Sequence, residues 1–256
     1  MSGTGADIRK DPREACDVNA EANAGGIADA AALRLHDYEL SGNGYKVRLL
    51  LSMLGLEAER IDVDFYPGAE HRQDAFLALN PLGQLPVLEH GDLVLRDSKA
   101  ILVYLAGRYD AGGAWWPVQD AVRTALTVQW LAFADELTAS AGQARLVEGF
   151  FHDGDVIALR ARAHDRLRIL ERHLWFAERA GRSWLVPGDR PTLADIACFA
   201  HVALSEEGGV MREDYPATRR WCDRVGRLPG FVPMPGVFPP GPGPAECVES
   251  VEPDGS

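Results

Sequence analysis

The stretch NPLGQLPVLEHGDLVLRDSKAIL, residues 80–102, constrains the fold more than any other part of the chain. Two short apolar runs, PVLEH and DLVL, flank His90-Gly91-Asp92. A connection that short joins only antiparallel neighbours, so the segment predicts a β-hairpin. Pro86 opens the first strand, where a missing N–H is tolerated at an edge or a strand start. Asp97-Ser98 stand just ahead of an apolar-periodic stretch running to Tyr109, the chemistry of a helix opening.

The segments before the hairpin set its surroundings. LRLH (33–36) reads as a strand. SGNGYKVRLLLSMLGL places Val47, Leu50, Leu51 and Leu54 at helical spacing, with Gly55 past the end. ERIDVDF (59–65) alternates, with Ile61, Val63 and Phe65 on one face, and HRQDAFLALN (71–80) is a short helix stopped by Pro81. The order β-α-β-α-β-β-α contains a strand–helix–strand unit, which requires a right-handed crossover and a parallel pair. Joined to the hairpin, it predicts a small mixed sheet with helices packed on it.

Beyond residue 110 the pattern changes. DAGGAWWPVQ (110–119) has the turn chemistry of a linker, and only helical spacing follows. Leu126, Trp130, Phe133 and Leu137 form one stripe; Val156, Leu159, Ala163, Leu167, Leu170 and Leu174 form a second along a highly charged helix. Thr192-Leu193-Ala194-Asp195 opens a third helix as a capping box. The expected fold is α+β followed by all-α: a βαβαββα domain at 32–109, a linker at 110–119 and a helical bundle at 120–232. Residues 1–31 read as a disordered extension, and 233–256 as a flexible Pro/Gly-rich tail.

A net charge of −12 argues against a phosphate-backbone partner, since nucleic-acid binders present a basic face. No run is long and apolar enough for a membrane span, and the N-terminal stretch lacks the apolar core of a secretory signal. Cys16, Cys198, Cys222 and Cys247 make no CxxC, and the seven histidines make no HxxxH, so no metal site is expected. The cysteine pattern suits a reducing cytoplasm.

The hairpin mouth has a chemical reading. A cis Leu85-Pro86 bond at a strand entrance turns the Leu85 N–H and C=O outward, where they can pair with an extended peptide. Asp97 and Ser98 offer a carboxylate for an ammonium, and free helix N–H groups with a hydroxyl for a carboxylate. An α-amino acid end carries both charges, so the site reads as a clamp for a small zwitterionic peptide.

NPLGQLPVL with DSKAIL, SGNGYKVRLLL and PTLADIA together resemble the cytosolic glutathione S-transferase superfamily, in a serine-type form, over residues 33–232. The resemblance implies a thioredoxin-like glutathione-binding domain, a helical domain supplying most of a second-substrate pocket, glutathione as co-substrate without a metal, a homodimer, and a cytoplasmic detoxification enzyme that conjugates the thiolate to a small apolar electrophile. It implies that Leu85, before Pro86, bonds the cysteinyl backbone, that Asp97 and Ser98 hold the γ-glutamyl end, that Arg72 and Gln84 serve the glycyl end, and that Ser41 is catalytic. Tyr38 is the rival to Ser41, because tyrosine-type classes carry that residue at the end of the first strand. Many bacterial relatives carry cysteine near the position of Gly44; no cysteine lies in 37–48 here. The second-substrate pocket is expected near Trp130, Phe133, Arg145, Phe150 and Phe151.

Plainer readings stand beside these. Ser41, Asp97 and Ser98 also suit simple helix caps, Arg72 a solvated charge, and Trp130 with Phe133 a core stripe. Glutathione-dependent isomerisation, lysis or peroxide reduction would use the same site, and a non-catalytic binding or assembly module would use the same scaffold.

Overall fold

The computed structural model describes residues 32–150 and 152–234. The expected N-terminal extension, most of the Pro/Gly-rich tail, Phe151, Cys16 and Cys247 lie outside the described residues.

Among the described residues four strands form one sheet in the order β2-β1-β3-β4. They are β1 (Leu33–Asp37), β2 (Glu59–Asp62), β3 (Val87–His90) and β4 (Leu93–Arg96). β1 runs parallel to β2, with Leu35 opposite Arg60, and antiparallel to β3, with Leu35 opposite Leu88. β3 and β4 form the expected hairpin, with Leu88 opposite Leu95. Helices α1 (Gly42–Met53) and α3 (Ser98–Tyr109) cover one face. Leu35, Val47, Leu50, Leu88, Ile101, Leu102 and Leu105 are buried there. The α2 helix (Asp74–Leu79) lies over a smaller cluster of Val63, Phe76, Leu85 and Val87. That cluster anchors the Leu85 side chain.

Two elements differ from the alternation in the sequence. The β2 ladder stops at Asp62, short of Phe65. Past Val63, whose N–H still reaches the Asp37 carbonyl at 2.8 Å, carboxylates capture the backbone instead. Glu70 accepts from the Asp64 N–H at 2.9 Å and Asp64 from the Gly68 N–H at 2.9 Å, so the chain turns out of the sheet. The helix read from residue 71 is a 3₁₀ turn, Glu70–Arg72, followed by α2. Asn80 then organises the loop ahead of β3: its Nδ2 donates to the Gln84 carbonyl at 2.7 Å and its Oδ1 accepts the Leu82 N–H at 3.1 Å.

The regular elements of the remaining described residues are helical: α4 (Ala121–Leu137), a π-turn at Thr138–Gly142, α5 (Gln143–Phe150), α6 (Val156–Arg179), α7 (Leu193–Ala203), a 3₁₀ turn at Ser205–Gly208, and α8 (Pro216–Val225). The α6 stripe buries Ala163, Leu167, Leu170 and Leu174. The Thr192/Asp195 capping box is formed. Asp195 does more than cap, because its Oδ1 also takes the Leu185 N–H at 3.1 Å and the Trp221 Nε1–H at 2.9 Å. The sheet part and the helical part share one continuous apolar core, and α1 packs directly on α7. That contact fixes the start of α1 against the helices and creates the cavity described next. No helix among the described residues is long and apolar enough to cross a membrane.

Candidate functional site

A cavity of about 860 Å³ opens between the sheet's loop ends and the α4–α5 and α7 helices. Its first wall is the mouth of α1. Ser41 is the N-cap, with extended backbone, and its Oγ accepts the Gly44 N–H at 3.0 Å. That bond uses a lone pair and leaves the hydroxyl proton free to donate. Beneath the first turn lies Asp37, fully buried, whose Oδ2 accepts from Arg48 Nη1 at 2.9 Å. Burial outweighs the Arg48 charge and pushes the Asp37 carboxyl up to about 6.

Tyr38 also lines the cavity, embedded in aromatic side chains. It stacks on Phe65 at 5.7 Å and meets Phe150 edge-on at 6.1 Å. Burial pushes its phenol pKa up, so the hydroxyl stays protonated at neutral pH. Phe65 stacks in turn on His71 at 4.2 Å and on His152 at 5.9 Å. One side of the cavity is therefore a layered π surface.

The second wall is the hairpin mouth. The Leu85–Pro86 bond is cis. Among the described residues, neither the N–H nor the C=O of Leu85 has a hydrogen-bond partner, although its side chain is buried. Asp97 is the N-cap of α3 at φ 75°, a left-handed conformation unusual for a residue other than glycine. Its Oδ1 accepts the N–H groups of Lys99 and Ala100 at 2.9 and 3.1 Å, and its side chain stays 50% exposed. Lys99 Nζ sits 3.1 Å from Asp97 Oδ2 and also pairs with Asp135 across the cavity. Gln84 and Arg72, both exposed, complete this wall.

The cavity thus brings together Tyr38, Ser41, Arg72, Gln84, Leu85, Asp97, Arg145 and Phe150. Pro86 and Ser98 are buried behind the wall rather than on it. Trp130 and Phe133 correct the expectation of pocket residues. Trp130 is 6% exposed, edge-on to Phe133 at 5.1 Å and to His173 at 4.6 Å, so the stripe is helical core. Arg145 is 3% exposed and works as a strut. Its Nη1 donates to the Leu40 carbonyl at 2.6 Å and its Nε to Glu207 at 2.5 Å, tying α5 to the residue before Ser41.

Sequence reasoning missed Asn43 and His201, which line the cavity, and Lys46, buried just behind it. Lys46 lay in plain view as the first basic residue of SGNGYKVR; His201 gave no signal, because its partners are distant in sequence. Cys198 and Cys222 are buried away from the cavity, and burial pushes both thiols up, Cys222 to about 12. No group of side chains suited to a metal occurs among the described residues.

Residues 32–107 match the family model for the glutathione S-transferase N-terminal domain. The chain is 29% identical over 214 residues to maleylacetoacetate isomerase of Pseudomonas aeruginosa, covering 78% of this chain and 93% of that protein. It is 30% identical over 212 residues to the glutathione S-transferase-like protein tpcF of Aspergillus fumigatus, covering 77% of this chain and 92% of that one. Among solved structures, a glutathione S-transferase from Xanthobacter autotrophicus matches with a TM-score of 0.70 at 30% identity, covering 80% of this chain and 98% of its own. The structure of yeast Ure2p in complex with glutathione matches with a TM-score of 0.69 at 26% identity, over 78% of this chain and 96% of its own. With its mixed sheet, its helical second half and a relative that matches it at this level over nearly its whole length, the chain belongs to the cytosolic glutathione S-transferase superfamily.

Proposed function

We propose that this protein binds glutathione and transfers its thiolate to a small, flat, largely apolar electrophile. The observation that carries the reading is the convergence on one cavity of the Ser41 hydroxyl at the mouth of α1, the Leu85 main chain, which has no partner among the described residues, and the half-exposed Asp97 carboxylate, whose Oδ2 has Lys99 beside it. In this reading Leu85 pairs with the cysteinyl backbone as an added strand. Asp97 takes the γ-glutamyl ammonium, and the N–H of Ser98 at the helix mouth takes its carboxylate; the buried Ser98 hydroxyl contributes from behind the wall. Arg72 and Gln84 serve the glycyl carboxylate.

The thiol loses its proton to water, and Ser41 donates a hydrogen bond to the sulfur anion near the positive end of α1. A hydrogen bond to a charged group contributes about 1.5–3 kcal/mol, roughly one to two pKa units. The thiolate attacks the electrophilic carbon, a C–S bond forms, and the leaving group departs with its electron pair. Tyr38, Phe65 and Phe150 provide a surface for a planar substrate. Homodimerisation and a cytoplasmic location belong to the same proposal.

A second reading, glutathione-dependent isomerisation, is favoured by the 93% coverage of the maleylacetoacetate isomerase. There the thiolate would add to a conjugated double bond and leave again, with no net loss of glutathione. Turnover of 1-chloro-2,4-dinitrobenzene and of a cis-enone diacid, with product identification, separates the two. Conjugate formation supports transfer; only isomerised product rejects it; neither product, with glutathione bound, identifies a binding module.

A further inference from the structure

Asn43 follows the Ser41 cap by two residues and lines the cavity, and its side-chain oxygen is claimed twice. Lys46 Nζ lies 2.9 Å from Asn43 Oδ1, and His201 Nε2 lies 3.1 Å from the same atom. An ammonium only donates, so the atom facing it is the carbonyl oxygen and the amide has one orientation. An oxygen facing His201 Nε2 requires that nitrogen to carry the hydrogen. Burial pushes the His201 pKa well below its ordinary value, so the ring is neutral, in the Nε2–H form. The Asn43 Nδ2 hydrogens are left over, and among the described residues they have no partner.

The seat of this arrangement is built from two halves of the fold. His201 lies against Gly42 on one side and Gly142 on the other. A Cβ at Gly42 would meet His201 Cε1 at 2.6 Å, and one at Gly142 would meet His201 Nδ1 at 2.9 Å. Both positions have to be glycine for the ring to reach Asn43. Lys46 is 1% exposed, and among the described residues its other hydrogen bond goes to Thr138 Oγ1 at 3.4 Å, in the π-turn. Among the described residues no carboxylate bonds to it directly. The charged groups around it are Lys99, Asp135 and Asp97 towards the cavity, and the neutral Cys198 thiol lies behind. A buried cation near the positive end of a helix is unfavourable by itself, and burial has drawn the Lys46 pKa down to about 8. An anion arriving beside Asn43 would offset that cost.

We propose that Lys46 and His201 are positioning residues that hold Asn43 with its amide N–H₂ towards the cavity, where it donates to the glutathione sulfur as a second hydrogen-bond donor beside Ser41, with the Lys46 charge adding to the stability of the anion. The inference rests on the glutathione reading above.

The test is an ultraviolet titration of the bound thiol in the wild type, Lys46→Met, Lys46→Arg and Asn43→Asp, with S-methylglutathione binding measured in each. Lys46→Met raises the bound-thiol pKa by about one unit, the size of a nearby-charge effect, and leaves S-methylglutathione affinity within about twofold. Lys46→Arg restores most of the shift. Asn43→Asp removes the donors, adds a like charge, and raises the pKa further. Wild-type binding of both ligands with an unchanged pKa in Lys46→Met and Asn43→Asp overturns this inference alone. Failure of the wild type to bind either ligand overturns the glutathione reading and this inference with it. Imidazole ¹⁵N NMR of the unaltered protein gives a check that needs no variant. His201 protonated on Nε2 supports the network, and protonation on Nδ1 alone overturns it.

Discussion

Asp37 and Gly44 exclude one another's growth: Asp37 Oδ1 fills the space that a Cβ at Gly44 would need. The resemblance sets cysteine near this position in many bacterial relatives; here the buried Asp37 carboxylate occupies the space that a side chain at Gly44 would need. Gly44→Ala is expected to destabilise the fold by about 1–3 kcal/mol, the range for overpacking, measured by urea unfolding. A change within the error of the wild type contradicts the contact. Gly44→Cys should fare no better, so a mixed disulfide at this site is not reached by that single change.

Asp37 also makes stability depend on pH. Its folded pKa is raised from the ordinary 3.8 to about 6, so between those values the folded state holds the proton more tightly than the unfolded state. The Asp37 contribution therefore weakens as pH rises from about 4 to about 6 and is level above. A shift of roughly two units corresponds to about 3 kcal/mol. Relative to Asp37→Asn, the wild type should lose stability across that window in paired urea titrations. A flat difference, or one of opposite sign, contradicts the burial argument.

Ser41 and Tyr38 compete for the catalytic role and are separable. Ser41→Ala should lower kcat/KM at neutral pH by about 10- to 100-fold, the kinetic equivalent of one charge-assisted bond. High pH should recover part of the loss, because the missing donor acts on thiol ionisation. Tyr38→Phe keeps the stack on Phe65 and should change turnover by less than about threefold. The reverse pattern in steady-state rates would transfer the role to Tyr38.

Asp97 caps α3 and, in the proposed function, also holds the ligand's ammonium. Asp97→Asn keeps an oxygen for the Lys99 and Ala100 N–H groups, so stability should change by less than about 1 kcal/mol. Glutathione affinity should fall about tenfold or more, since the ammonium loses its charged partner. Calorimetric binding that stays unchanged would make Asp97 a cap and nothing else.

Much of this was legible in the sequence because it is local. The β3–β4 hairpin follows from His90-Gly91-Asp92, and the α6 stripe and the Thr192 cap follow from spacing alone. The Ser41, Leu85 and Asp97 positions could be singled out because helix mouths and X-Pro strand entrances have sequence signatures. What stayed hidden depends on distant partners. The end of β2 is set by carboxylates of a turn beyond it. The π-turn at Thr138–Gly142 interrupts an otherwise helical pattern, where Thr138 and Ser140 hydroxyls bond back to the Ala134 and Glu136 carbonyls. Trp130 and Phe133 are apolar whether they face a core or a cavity, so periodicity could not assign them. His201 meets Asn43 from the helical half of the fold, at a sequence separation of 158.

The most direct test of the central claim is the pKa of the glutathione thiol in the wild-type complex, read by thiolate absorbance against pH. A free thiol titrates near 8.5, and the proposed site should lower that by about one to two units. An unshifted value, or no saturable binding at millimolar glutathione, would contradict the claim that this cavity holds the sulfur as an anion.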